Sequence, residues 1–451
     1  MGIDLDPMLR TPLGGEISKK PGAFMVRAPG RVNLIGEHTD YNGLPVLPMA
    51  IDREVAILAA PIDDPVVRIA NVDPSFEPRE FHLGAEISPF PQGDWGNYVK
   101  AAAQALIDWS DARINGFQGL VWGNIPAGAG LSSSSAMVVA SALALMQANG
   151  LQMPKSELAE LLARGERYVG TQGGGMDQTV SLMAEEGRGL KIDFFPIRAQ
   201  PLPLPLKHSV IVCNTLVSAW KAGLARNAYN TRVVECRIGL ALLKQALGNE
   251  QLAEARLLGD LMNKSAVPRS RIMNAVEALP ERLLKVGSVS EALLLSPKQA
   301  EEMLRQHDGC LLTMPDDGFR IRSRCRHVFT EAARVERTAL ASTAQEFGML
   351  MDESHESCAN DYEISCPELD SLVRICRQAG ALGARLTGAG FGGCVIALVP
   401  DDLVGKFIET VTYRYYHSYF PSHRPDLTLP MDLSDAIFAC KPSAGASVRM
   451  L

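Results

Sequence analysis

The run Gly119 to Met146, GLVWGNIPAGAGLSSSSAMVVASALALM, reads as a strand, a glycine-rich loop and a helix in immediate succession. Small residues stand where the backbone must come close to something. Gly128 and Gly130 let loop amides converge, Ser132, Ser133, Ser134 and Ser135 add hydroxyl donors, and the helix from Ala136 onward turns its positive N-terminal end back on the loop. Such a unit can bind an anion, although an N-capped helix after a flexible turn has the same pattern. Two familiar nucleotide motifs fail on context. Gly123 and Gly128 have Walker A spacing, but Ala129 and Gly130 follow in place of Lys and Ser or Thr. Gly388 to Gly393 satisfies G-x-G-x-x-G, yet it runs into CVIALV, a strand, where a dinucleotide fingerprint needs a helix.

Around this unit, AFMVRAPGRVNLIG predicts two short strands hinged at Pro29-Gly30, followed by a polar loop from Glu37 to Asn42. Strands are expected over 46–60, 66–70 and 209–214, and helices over 95–109 and 155–169. A second glycine cluster stands at 173–175. Four prolines between Pro196 and Pro205 argue against a helix or a central strand and mark a domain boundary, giving domains 1–205 and 206–451. The helix-rich stretch 243–350 carries no recognisable chemistry and reads as scaffold.

Several function classes are excluded. Lys plus Arg at 44 against Asp plus Glu at 51 gives a net charge of −7 with no basic block, so no nucleic-acid partner is expected. The longest apolar stretch, Ala136 to Met146, falls short of the roughly 18 residues of a membrane span. The first ten residues lack a signal peptide's basic start and apolar run, and Asp6 stands where a myristoylation motif has Ser or Thr, so a cytoplasmic location is expected. Nine cysteines, odd in number and without a C-x-x-C pair, suggest reduced thiols rather than zinc or disulfides.

Three segments together are informative. RAPGRVNLIGEHTDYNGLPVLPMAID (27–52), IPAGAGLSSSSA (125–136) and LTGAGFGGC (386–394) resemble, in order and spacing, the three motifs of the GHMP sugar and small-molecule kinases. The first resembles the galactokinase signature in particular. The likeness continues through GERYVGTQGGGMDQTVSLMAEEG, NAYNTRVVECR and YEISCPELD; its GTQGGGMDQ form is similar to the eukaryotic-type branch, which also contains N-acetylgalactosamine kinases. The resemblance implies an α+β, two-domain GHMP kinase fold. Its N-terminal domain would be ribosomal-protein-S5-domain-2-like and its C-terminal domain ferredoxin-like, with the active site in the cleft between them. It implies transfer of the γ-phosphoryl group of ATP, with Mg2+, to the anomeric hydroxyl of galactose. A monomer is expected.

The resemblance also assigns roles. Asp177 and Arg31 would be catalytic, with Asp177 either a general base or an aligning group that accepts the proton late, two accounts that stay open at this point. Glu37, His38, Asp40, Gly175 and Tyr229 would bind the sugar. Gly128, Gly130, Leu131, Ser132, Ser133 and Ser134 would hold the phosphates, and Trp95 would lie beside the adenine. Magnesium would be held by Ser134 and Glu166. The extra serine in SSSSA leaves Ser135 as the alternative to Ser134, and taken in isolation Glu166 reads as an exposed helical residue. Gly388 to Gly393 would bend back to support the phosphate loop. An N-acetylgalactosamine kinase is the nearest rival, disfavoured because such kinases carry Phe and a variant loop where this chain has Tyr229 and GEHTDYNG. A catalytically silent galactose and ATP sensor is the rival of another class, disfavoured by the intact serine loop, Asp177 and Arg31.

Overall fold

The computed structural model describes residues 6–110, 113–170, 173–217, 224–248, 252–264, 266–305 and 311–451. The first half is organised on one long strand, β1 (Phe24–Ile35), nearly every residue of which is buried. It pairs antiparallel with β2 (Leu47–Pro61). Pro29-Gly30 does not separate two strands. The register steps between Pro29 and Arg31 and the strand continues, because a proline without an N–H interrupts the ladder locally and is absorbed as a bulge. Bulges re-aim side chains, and Arg31, directly after this one, faces the large cavity described below.

β3 (Val66–Asn71), β4 (Arg79–His82) and β5 (Phe117–Gly123) complete this half's contribution to a six-stranded sheet. Only the β3–β5 pair is parallel. Helices α1 (Gly96–Trp109), α2 (Ser133–Ala148), α3 (Lys155–Gly165) and α4 (Met176–Met183) share a core with the sheet. α2 packs on α1, α4, β1 and β2, which explains why its sequence is apolar on nearly every side. The helix expected over 155–169 ends as α-helix at Gly165 and closes with a 3-10 turn from Glu166 to Val169. The proline-rich stretch holds neither a helix nor a central strand, as expected, but an edge strand. β6 (Arg188–Asp193) and β7 (Arg198–Pro203) form a two-stranded ribbon, where prolines are tolerated because the outer edge needs no donors.

In the second half, β8 (His208–Asn214) leads to the long helix α5 (Leu224–Leu247). After shorter helices come α6 (Arg322–Ala339), α7 (Ala344–Asn360) and α8 (Pro367–Gln378), then β9 (Gly383–Thr387), β10 (Cys394–Pro400) and β11 (Ile437–Cys440). The four strands form an antiparallel sheet in the order β9-β10-β8-β11. A separate core joins the halves: Val32 and Leu34 of β1 pack with Val335, Leu350 and Ile396. The final strand, β12 (Ser447–Met450), returns to the first sheet and pairs antiparallel with β1 on the edge away from β2.

Among the described residues no helix is long and apolar enough to cross a membrane. The eight described cysteines are free thiols, and no cluster of His, Cys, Asp and Glu capable of holding a metal is found among the described residues. Cys310 lies outside them.

Candidate active site

A cavity of about 730 Å³ opens where the β5–α2 loop, the start of α4, the loop after β1 and the β9–β10 loop converge. At its centre is an ion pair. Asp177 sits in the first turn of α4, and Arg31 grips it in a fork, Nε to Oδ1 at 2.7 Å and Nη2 to Oδ2 at 2.9 Å. The remaining arm, Nη1, donates to the Gly130 carbonyl at 2.6 Å, and the Arg31 amide donates to the Leu131 carbonyl at 3.1 Å. One side chain therefore ties the carboxylate to the serine-rich loop. Burial opposes the Arg31 charge, but Asp177, Glu37 and Asp40 around it more than offset this, and its pKa moves upward. Ser132 precedes α2 in a left-handed conformation, φ 62, unusual for a residue with a side chain. Its hydroxyl donates to Asp177 Oδ2 and makes no bond to the helix start, so the N-cap reading of the serine cluster does not hold for Ser132.

Beyond the ion pair lies a pocket rich in buried acceptors. Glu37, His38 and Asp40 are buried in the loop after β1 and line the cavity with Tyr229 of α5. Glu37 Oε1 accepts from the Gly388 amide at 2.8 Å and lies 3.4 Å from Arg385 Nη1. Asp40 Oδ2 accepts from the Gly174 amide at 3.0 Å. Burial raises the pKa of both acids; for Glu37 the Arg385 charge pulls the other way, whereas for Asp40 the Asp177 charge adds to the rise. His38 Nε2 faces the Ala389 carbonyl at 3.2 Å and so carries its proton there, leaving Nδ1 to accept from the Tyr41 hydroxyl at 2.9 Å. Tyr41 in turn accepts from Tyr362 at 2.7 Å. Burial holds the His38 pKa down to about 3, so the ring is neutral. The Tyr229 ring lies 5.1 Å from that of His38.

Two glycines permit these approaches. A Cβ on Gly174 would stand 2.3 Å from the Asp40 carbonyl carbon, and one on Gly388, at φ 85, would stand 2.7 Å from the Gly130 oxygen. The β9–β10 loop thus buttresses both the serine-rich loop and the acid pocket, as expected for Gly388 to Gly393.

The cavity is lined as well by Gly128, Gly130, Leu131 and the serines 132 to 135. Trp95 is there too, but as the N-cap residue of α1 rather than on the helix face; its indole donates to the Glu77 carbonyl at 3.0 Å and its ring meets Phe76 edge-on. Glu166 is buried, not exposed, and its pKa is pushed up to about 7 by burial, with a hydrogen bond from Ser135 pulling it back. Its Oε1 is buried without a hydrogen-bond partner among the described residues. Ser134 and Ser135 both line the cavity, and Ser135 and Gln178 are among the neighbours that pull the Glu166 pKa back. Gly175 caps α4 and also lines the cavity; Thr171 and Gln172 of the same motif lie outside the described residues.

All the site residues expected from the sequence therefore border one cavity. Sequence reasoning missed Tyr41, Tyr362 and Arg385, although each lies in or beside a quoted motif. It also missed His327 and Glu331 on α6, for which no local signal exists.

Comparison with known proteins accords with this geometry. Residues 16–61 match the galactokinase galactose-binding signature, 97–185 the GHMP kinases N terminal domain and 336–417 the GHMP kinases C terminal model. The chain is 35% identical to a galactokinase of Dictyostelium discoideum, over 94% of this chain and 90% of that protein. It is 34% identical to a galactokinase of Saccharomyces cerevisiae, over 95% and 92%. The crystal structure of Lactococcus lactis galactokinase complexed with galactose superimposes with a TM-score of 0.74 at 26% identity, covering 96% of this chain and 97% of that one. Methanococcus jannaschii mevalonate kinase, at 17% identity and a TM-score of 0.54, shares the fold. The chain belongs to the galactokinase family of the GHMP kinases.

Proposed function

We propose that the protein transfers the γ-phosphoryl group of ATP to the C1 hydroxyl of α-D-galactose, giving galactose 1-phosphate and ADP. The observation that carries this reading is the Arg31–Asp177 fork, which stands between a serine-rich anion loop and a pocket of buried acids. Such a pocket suits a sugar, whose hydroxyls each need a partner when water is removed.

In this reading Glu37, His38, Asp40 and Tyr229 orient the sugar so that O1 meets Asp177. The O1–P bond forms as the bond from the γ-phosphorus to the β–γ bridging oxygen breaks, ADP leaves, and the hydroxyl proton passes to Asp177. Asp177 has about four lone-pair directions, of which Arg31 and Ser132 fill three, leaving one on Oδ1 for the incoming hydroxyl. Arg31 places a fixed positive charge beside the phosphoryl in flight. Glu166 and Ser135 would hold magnesium. A buried carboxylate oxygen without a partner, near a hydroxyl, fits a hard cation. When bound, the ion neutralises charge on the β- and γ-phosphates. Trp95 and Phe76 offer ring surface to the adenine.

The test is ADP release from ATP and magnesium with galactose, N-acetylgalactosamine, glucose, arabinose and no sugar in parallel. Turnover with galactose well above the others supports the reading. Equal or better turnover with N-acetylgalactosamine moves the protein to the sister activity, and binding of galactose and ATP without turnover makes it a sensor.

A further inference from the structure

We propose that His327 and Glu331 of α6 are positioning residues for galactose: they set the backbone of the loop that carries Glu37, His38 and Asp40 without touching the sugar. The inference rests on reading that loop as the sugar-binding element.

β1 ends at Ile35, so the amides that follow lose the partners a sheet would give them, and buried amides need others. They find them on the other half of the molecule. Glu331, fully buried, accepts at Oε1 from the Gly36 amide at 2.9 Å and the Glu37 amide at 3.3 Å. The same oxygen accepts from the Ser354 hydroxyl of α7, and Oε2 accepts from Arg334 Nε at 2.7 Å. Although burial opposes it, the charges of Arg334 and Arg385 hold this carboxylate ionised, with a pKa of about 2. His327 Nε2 donates to the Glu37 carbonyl at 3.1 Å, and its Nδ1 accepts from the Ser357 hydroxyl at 2.9 Å. Both backbone groups of Glu37 are therefore held by α6, while its side chain is held by the β9–β10 loop.

The carbonyl gripped by His327 belongs to the peptide that precedes His38, and His38 has φ 60. A left-handed conformation at a residue with a side chain persists only where surroundings enforce it. The His327 hydrogen bond fixes the plane of that peptide, and with it the direction in which His38 leaves the backbone. The His327 ring also lies 4.3 Å from that of Tyr362, whose hydroxyl continues through Tyr41 to His38 Nδ1. Two routes from the second half thus converge on His38, one through its backbone and one through its ring. Neither His327 nor Glu331 borders the cavity, so their effect on the sugar passes through the loop.

The experiment is steady-state kinetics with each substrate varied in turn, alongside thermal unfolding, for the full chain and for Glu331→Gln, His327→Asn, His327→Gln and Glu37→Gln. In Glu331→Gln the amide nitrogen must face either the loop amides or Arg334. We expect the galactose KM to rise about tenfold or more, with the ATP KM within about twofold. His327→Asn withdraws the donor from the Glu37 carbonyl and raises the galactose KM similarly. His327→Gln, whose amide nitrogen can stand where Nε2 stood, returns it to within about threefold. A merely structural role predicts instead that both KM values stay put while Tm falls, or that both move together, and either result overturns the proposal. If Glu331→Gln does not fold, the His327 pair decides. An unchanged galactose KM in Glu37→Gln removes the sugar-loop reading and the positioning role with it; a raised one, with His327→Asn and Glu331→Gln unaffected, removes the positioning role alone.

Discussion

Asp177 is gripped by Arg31 in a fork that an amide cannot match, since one of its two terminal atoms would be a donor facing a donor. Asp177→Asn should therefore lower kcat by roughly a hundred- to ten-thousand-fold while galactose and ATP still bind, as read by ADP release and calorimetry. Near-normal turnover would remove Asp177 from the reaction. Ser134 and Ser135 are adjacent on a helix and point about 100° apart, and Ser135 is the one that lowers the Glu166 pKa. Ser135→Ala should raise the magnesium concentration needed for half-maximal rate several-fold, and Ser134→Ala should raise it much less; a titration with the order reversed would assign the role to Ser134. Arg31, Glu37, His38, Asp40 and Asp177 were legible as residues of one cavity because each lies in a contiguous motif that resembles the family's. Glu331 was not, because what it does is accept from backbone amides 294 and 295 residues away, and backbone amides leave no mark in a sequence.

At the scale of elements, local signals worked where local energetics decide and failed where pairing decides. Pro29-Gly30 carries every mark of a hinge, yet β2 pairs with the residues on both sides and draws the chain through as one strand. The proline-rich stretch after Phe195 forms a strand with a single partner, β6, which agrees with the expectation that it is neither helix nor central strand. The α2 helix was readable in place, but its lack of an amphipathic stripe becomes intelligible only with neighbours on several sides. Leu145, fully buried in that helix, should be unforgiving. Leu145→Ala is expected to cost about 2–5 kcal/mol of folding stability by denaturant titration, and a cost below about 1 kcal/mol would mean that the site collapses around the loss.

The two halves share a core, and buried titratable groups near their junction couple its stability to pH. Burial, opposed by Glu331 and assisted by the Arg334 and Arg385 charges, lowers the His327 pKa to about 4. Tyr362 packs on the ring and Ser357 donates to it. As pH falls below about 6.5, the unfolded chain takes up this proton before the folded one does, so stability is lost between about 6.5 and 4 and fully retained above that window. Between pH 7.5 and 5.5 the native protein should lose about 1 kcal/mol more than His327→Gln, measured as denaturation midpoints. Equal losses would mean that the ring takes up its proton as readily in the folded protein.

The pairing of Phe24 with Met450 closes the second edge of β1 with a strand from the far side of the sequence. β2 follows β1 closely in the chain and pairs with one edge, but the other edge of β1 is bare wherever β12 is not docked. A bare strand edge invites pairing with another polypeptide. A chain whose β12 is undocked is therefore open on the strand that carries Arg31, and β12 acts as a latch on that edge.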